Sequence, residues 1–392
     1  MGEWREATVA ELGTIFDGPH ATPTRRSSGA YFLNISSLKN GRLDLSESDH
    51  VSDEDFQKWT RRVTPTAGDL LFSYETRLGE AALMPAGVKA CLGRRMALLR
   101  PDRSRFDPRF LLYLYLGPAF QEMIAERSIH GATVSRIPLA SMPEWPVFVP
   151  DLQEQCAIAD VLGALDDKIA ANERLVDLVD QYLATVFARL AANSPTAVLA
   201  MIADVNRAVV KPSPGGVLRY VDISAVAQGK YEFPEPITWE SAPGRARRAL
   251  AYGDTVWSTV RPNRRSHALV LDSDPALVAS TGLAVLTPHA GRIAGLYEAT
   301  RRSEFTHYLE SVAEGSAYPA VNADRFRDAP IPALSEEAWN EFEQEALPLR
   351  QRAHAAAVET RALRRTRDEL LPLLMSGRIT ISAAGRTAGE VT

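Results

Sequence analysis

Cysteine is almost missing: Cys91 and Cys156 are the only two among 392 residues. Two cannot build a disulfide framework, and their spacing fits no metal motif. A reducing, cytoplasmic setting is the expectation. No apolar run approaches the roughly 18 residues that cross a bilayer. The opening MGEWREATVAEL lacks the apolar stretch of a secretory signal. No Gly-x4-Gly-Lys-Ser/Thr loop cradles a phosphate, which argues against ATP hydrolysis in this chain. No Asn-Pro-Pro-Tyr or Asp-Pro-Pro-Tyr tetrapeptide stands ready to hold the amino group of an extruded adenine. The seven histidines are scattered, none with another histidine or a cysteine three or four residues away. His130 and His267 lie in loop-like segments beside basic residues, where a solvent-exposed imidazole is expected. Pro150, Asp151 and Glu154 have the look of a nuclease metal site, but no lysine follows at the needed spacing. Glu154 instead falls at a helix start, where a carboxylate complements the dipole. Catalytic residues, metal ligands and a bound cofactor are therefore not expected in this chain.

What is present is ordinary globular material, 45% apolar and 24% charged, long enough for two domains with cores of their own. The net charge of −5 hides an uneven distribution. Residues 94–109 carry +4 and residues 245–265 carry +5, each with six arginines, while acid gathers in stretches such as 336–345. Two basic patches on an acidic chain suit a protein that grips phosphate at two places.

The strongest feature is an internal repeat with a period of about 184 to 188 residues. Tyr31-Phe-Leu-Asn-Ile-Ser36 returns as Arg219-Tyr-Val-Asp-Ile-Ser224. Ala67-Gly-Asp-Leu-Leu-Phe-Ser73 returns as Tyr252-Gly-Asp-Thr-Val-Trp-Ser258, and Ala97-Leu-Leu-Arg-Pro101 as Ala284-Val-Leu-Thr-Pro288. Gly131, Pro146 and Val147 match Gly315, Pro330 and Ile331. The apolar runs YFLNI, DLLFSY and MALLRP, bounded by Gly, Pro and Asp, read as short buried strands. A helical stretch over 108–127 follows, opened by Pro108 in its first turn. There is no βαβ alternation and no glycine-rich nucleotide turn.

Each half ends in a long helix. A 4-3-4-3 spacing runs Ile158, Leu162, Leu165, Ile169, Asn172, Val176, Val179, Leu183, Val186. It returns, 184 residues on, as Phe342, Ala346, Leu349, Ala353, Ala356, Thr360, Leu363, Arg367, Leu370. Such a heptad pattern is a coiled-coil seam, and each helix should be about 45–55 Å long. Asn172 is either a register-fixing polar residue within the seam or a solvated surface residue. Pro348 should kink the second helix or mark a break. Leu175, Leu178 and Tyr182 exceed what a two-helix seam needs and suit packing on a domain or on a partner. The fold class expected is α/β in the mixed α+β sense: two domains of short irregular strands joined by two long antiparallel coiled-coil helices in a pseudo-twofold arrangement. Such a spacer with two heads can read two short DNA elements separated by bases it ignores.

At this point the residues resemble a family. Gly131-Ala-Thr-Val-Ser-Arg-Ile-Pro-Leu, Trp145-Pro-Val-Phe-Val-Pro-Asp-Leu-Gln-Glu-Gln155 and Ile158-Ala-Asp-Val-Leu-Gly-Ala-Leu-Asp-Asp-Lys-Ile169 are similar to a target-recognition domain of type I restriction-modification specificity subunits, running into its first conserved helix. Asp368-Glu-Leu-Leu-Pro-Leu-Leu-Met-Ser-Gly-Arg-Ile379 resembles the closing motif of that family, and Thr255-Val-Trp-Ser-Thr-Val-Arg-Pro-Asn263 its DNA-proximal strand and loop. Ala333-Leu-Ser-Glu-Glu-Ala-Trp departs from the usual Pro-x-x-x-Gln pattern before the second helix. The resemblance implies a non-catalytic subunit that binds double-stranded DNA and two adenine-N6 methyltransferase subunits. Where cleavage occurs, two ATP-driven translocase-nuclease subunits would join. S-adenosylmethionine, ATP and Mg would belong to those partners.

The layout expected is a first recognition domain over 1–150, a spacer helix over 151–192, a second recognition domain over 193–334, a second helix over 335–378 and a tail over 379–392. Major-groove readout needs paired donors and acceptors, and phosphate contacts need charge or a hydroxyl. In the first domain these criteria select Tyr74, Thr76, Arg77, Arg94, Arg95, Thr133, Ser135 and Arg136. In the second they select Arg261, Asn263, Arg264, Arg265, Ser280, Thr281, Tyr318, Asn322 and Arg325. For any one arginine, plain surface charge is the competing explanation. Two other function classes stay open. A coiled-coil scaffold without sequence-specific DNA binding would show no salt-sensitive affinity for DNA. A self-sufficient DNA-cleaving or DNA-methylating enzyme would act alone with S-adenosylmethionine or a divalent metal.

Overall fold

The computed structural model describes residues 4–131, 134–289, 291–315 and 319–389. It contains two compact units, one of residues 1–170 with 359–392 and one of residues 171–358.

In the first unit, Arg5–Thr8 pairs antiparallel with Pro146–Val149. A four-stranded antiparallel sheet has the order Gly13–Asp17, Met96–Pro101, Leu70–Ser73, Ala81–Leu83. A three-stranded sheet sets Ala30–Leu33 between Asp49–Val51 and Ala90–Leu92, the latter pair running parallel. The apolar runs picked out above thus do form strands, and all four residues of Leu70–Ser73 are buried. The stretch 108–127 is two helices rather than one, Pro108–Leu116 and Pro118–Arg127. Pro118 lacks an N–H and pushes the residue before it out of the helical region, so Gly117 is extended (φ −67, ψ 151). Phe72, Phe110, Tyr115, Phe120 and Trp145 centre the core, which also takes Leu162, Leu165 and Ile169 from one long helix and Leu363, Leu370 and Leu374 from the other.

The second unit rebuilds the same plan. Thr196–Val198 pairs with Pro330–Pro332, and a sheet runs Ala203–Val205, Leu283–Pro288, Thr255–Ser258, His267–Leu269. The other sheet again contains a parallel pair, Val217–Val221 with Leu277–Ser280, flanked by Pro236–Thr238 and an added strand, Ala246–Ala249. Helices Ile293–Thr300 and Ser303–Ser311 take the places of the pair at 108–127. Trp257, Phe305 and Phe326 fill this core together with Leu183, Phe187, Trp339 and Phe342.

The long helices are Leu152–Ala191 and Glu336–Met375, 40 residues each and so about 60 Å, longer than their heptads implied. Asp151 accepts the Glu154 amide at 2.8 Å, which caps the first of them and fixes Glu154 in its opening turn. Asn172 is a seam residue, only 4% exposed. Pro348 does not end the second helix. Its missing hydrogen bond costs about 3 kcal/mol, which the burial of Phe342, Ala346 and Ala353 around it offsets. Within each unit the two helix segments run antiparallel. Lys168 meets Glu359 and Asp166 meets Arg367 in the first, while Tyr182 meets Glu345 and Asp180 meets Arg350 in the second. Among the described residues, no helix is long and apolar enough to cross a membrane.

Candidate nucleic-acid interface

The selected residues of the first unit converge where three chain segments meet: the loop after Leu70–Ser73, the turn at 93–95, and the hairpin of Ile129–His130 with Ser135–Arg136. Main-chain bonds stitch them together. The Tyr74 amide donates to the Arg95 carbonyl (3.1 Å), the Thr76 amide to the Ser135 carbonyl (3.1 Å), and the Ile137 amide to the Tyr74 carbonyl (2.8 Å). Glu75 and Arg136 form an antiparallel bridge, and the Ser73 hydroxyl donates to the Glu75 carbonyl at 3.0 Å.

The second unit carries the same stitching. Thr259 donates to Gly282 (3.0 Å), Arg261 to Pro319 (2.8 Å), and Val321 to Thr259 (2.8 Å). Val260 and Ala320 form the bridge, and the Ser258 hydroxyl donates to the Val260 carbonyl at 2.8 Å. Thr76 and Arg261, at matching places, both adopt left-handed backbone (φ 75 and 52). Each cradle is thus a backbone frame of one design, carrying different side chains.

The side chains fall into distinct groups. In the first cradle Thr76, Arg94 and Arg136 are exposed, and neither arginine side chain has a hydrogen bond or ion pair among the described residues. Arg95 (φ 72) pairs with Glu75 at 3.0 Å, and Arg77 pairs with Glu80 at 3.1 Å while donating to the Ile35 carbonyl. The Ser135 hydroxyl meets the His130 ring at 3.0 Å. In the second cradle Asn263, Arg264, Thr281, Asn322 and Arg325 are exposed. The Asn322 side chain accepts from the Asp324 amide and caps the short helix Ala323–Arg327. Arg261 is half-buried, and the Arg265 guanidinium donates to the Arg301 carbonyl. Thr133 and Tyr318 lie outside the described residues.

Two selected residues turn inward. Tyr74 is 5% exposed and packs in the core, where burial raises the pKa of its hydroxyl; Ser280 is 0% exposed. Both sit where a strand ends, and the strand alternation sends their side chains into the unit. His267, expected as an exposed loop residue, is a fully buried strand residue stacked on Trp257 at 4.6 Å and 13°. The two serines that close the loops, Ser73 and Ser258, were passed over as site residues. Their recurrence in the repeat was the available signal.

Residues 1–180 match the family described as "Type I restriction modification DNA specificity domain". That match covers 180 of the 392 residues, so it is the first half of the chain that is similar to the family. The matched stretch holds the whole first cradle and stops within the first long helix; the second cradle is tied to it by the internal repeat. A curated relative, the putative type I restriction enzyme MjaX specificity subunit of Methanocaldococcus jannaschii, is 24% identical over 180 residues. That alignment covers 43% of this chain and 41% of the relative, so it spans less than half of the relative's length. Among solved structures, a type I restriction-modification S subunit from M. genitalium shares the fold of this chain with a TM-score of 0.66. It is 16% identical, over 95% of this chain and 96% of that one.

Proposed function

We propose that the chain is the sequence-reading subunit of a type I restriction-modification complex, recognising a two-part DNA target and performing no chemistry itself. The single observation that carries this reading is the pair of cradles, alike in main-chain bonds and unlike in side chains. Two frames of one design bearing different side chains suit two different short sequences. In this reading residues 1–150 and 193–334 each recognise one block, 151–192 and 335–378 are the spacer helices, and 379–392 form a tail. The subunit works in the cytoplasm. Its partners are double-stranded DNA, two methyltransferase subunits that carry S-adenosylmethionine, and two translocase-nuclease subunits that use ATP and Mg. The cradle residues Thr76, Arg94, Ser135, Arg136, Arg261, Asn263, Arg264, Thr281, Asn322 and Arg325 supply the DNA contacts.

The test is co-expression with the methyltransferase subunit encoded beside it, followed by mapping methylated adenines across the host genome. The expected result is modification at one motif of two short blocks around an unspecified spacer. Exchanging residues 1–150 for another such domain should change one block and spare the other. Methylation that does not depend on the chain would remove this reading in favour of a scaffold.

A further inference from the structure

The Pro262–Arg264 turn of the second cradle stands between two left-handed arginines, Arg261 (φ 52) and Arg265 (φ 54). Left-handed backbone costs about 1 kcal/mol or more for a residue with a Cβ, so the surroundings must enforce it. They do so from both sides. The Arg261 amide donates to the Pro319 carbonyl at 2.8 Å, the Arg264 amide to Arg261 at 3.0 Å, and the Arg265 amide to Pro262 at 2.9 Å. Pro262 is buried beneath the turn. His267 Nδ1 lies 2.7 Å from the Arg265 carbonyl. Burial pushes the pKa of this imidazole down to about 4, so at neutral pH it holds one proton. A carbonyl can only accept, so that proton is on Nδ1. The histidine, stacked on Trp257, is a fixed post for the loop.

The turn therefore ends in a tip whose backbone is over-determined. Asn263 and Arg264 project from it, exposed, and their side chains have no hydrogen bond or ion pair among the described residues. The loop at 74–80 has no such tip. It is one residue shorter between its strands, and its Arg77 is already held by Glu80 and the Ile35 carbonyl. Phosphate contact tolerates a flexible arm, whereas reading a base edge needs a planar side chain on a prepaid backbone.

We infer that Asn263 and Arg264 are the base-reading pair of the second unit, Asn263 taking an adenine edge and Arg264 a guanine edge in the major groove. The assignment rests on the DNA-reading function proposed above. An amide presents one donor and one acceptor to adenine N7 and N6, and a guanidinium two donors to guanine O6 and N7.

The test uses the full chain in complex with its methyltransferase partner, and duplexes randomised across both blocks, with binding measured at two salt concentrations. Arg264→Ala should lose preference at one G·C position by about ten-fold or more, leaving the other block and the salt dependence unchanged. Asn263→Ala should do the same at one A·T position. Uniform weakening across all sequences, with a salt slope shallower by about one, would make either residue a phosphate contact and overturn the assignment. An unchanged motif overturns it as well. If the wild-type complex shows no sequence preference at all, the DNA-reading function falls and takes this assignment with it.

Discussion

The two units dock the helix behind the sheet onto a long helix with opposite chemistry at matching positions. In the first, the Tyr113 hydroxyl donates to Asp166 at 2.7 Å, and Arg367 completes the contact at 3.0 Å. In the second, Glu298 stands where the repeat places Tyr113, and Arg350 where it places Asp166. Glu298 is 1% exposed and pairs with Arg350, which also reaches Asp180 at 2.9 Å; Arg301 grips Asp180 with both guanidinium nitrogens. Burial raises the pKa of Asp180, but the two arginines outweigh it and hold the carboxyl below the ordinary range. Tyr297 lies under both guanidinium groups at 4.8 and 5.4 Å. The architecture thus fixes where a polar contact must sit and leaves its sign free. A carboxylate held by a neutral donor and one arginine, and a four-charge cluster, serve the same joint.

That contrast can be broken most sharply at Arg350. Arg350→Ala strands Glu298 without its nearest cation and should cost about 3–5 kcal/mol in urea unfolding. A loss no larger than that of Tyr113→Phe would mean the charges are dispensable to the joint. The next effect is one of pH. His267 faces Trp257 across the sheet, where the first unit has Ala81 facing Phe72. Its folded pKa of about 4 lies below the 6.5 of a free imidazole, so the unfolded chain binds the proton more readily. This stability is full above about pH 6.5, falls as pH drops, and levels off below about pH 4, at roughly 3 kcal/mol in total. Unfolding midpoints at about pH 7 and pH 4, compared with those of His267→Leu, check it; a variant with undiminished acid sensitivity would rule out this residue as the source. Tyr113→Phe removes one hydrogen bond and should cost about 1 kcal/mol by the same urea measurement. Smallest of all, Arg94→Ala and Arg136→Ala should each lower the salt slope of DNA binding by about one while leaving the methylated motif unaltered. A changed motif would turn either into a base reader and erase the difference between the cradles.

Much of this was legible in sequence because it depends on local rules. Ala67-Gly-Asp and Tyr252-Gly-Asp recur since Gly68 and Gly253 both need positive φ (82 and 92) at the turn into a buried strand. The seam was legible since period and apolarity suffice to place Ile158 or Phe342 inside. What stayed hidden depends on partners distant in the chain. Arg350 follows a seam position by one residue, and nothing near it announces that Glu298 and Asp180 will enclose it. His267 follows Arg265 and Ser266 and so reads as surface; its burial comes from Trp257 and Tyr297. Tyr74 and Ser280 were chosen for chemistry and failed on direction, because a residue at a strand end points in or out according to the alternation before it. The break at Gly117 was within reach, since Pro118 forbids a continuous helix on steric grounds alone.

The latches of both cradles run chiefly from amide to carbonyl, with a serine hydroxyl at each loop start. Amides and carbonyls are common to every residue but proline, which lacks only the donor. Outward-facing positions can therefore exchange one side chain for another without loosening the frame that presents them. A lineage under pressure to change what it recognises could rewrite the lettering on such a surface while the page stays bound.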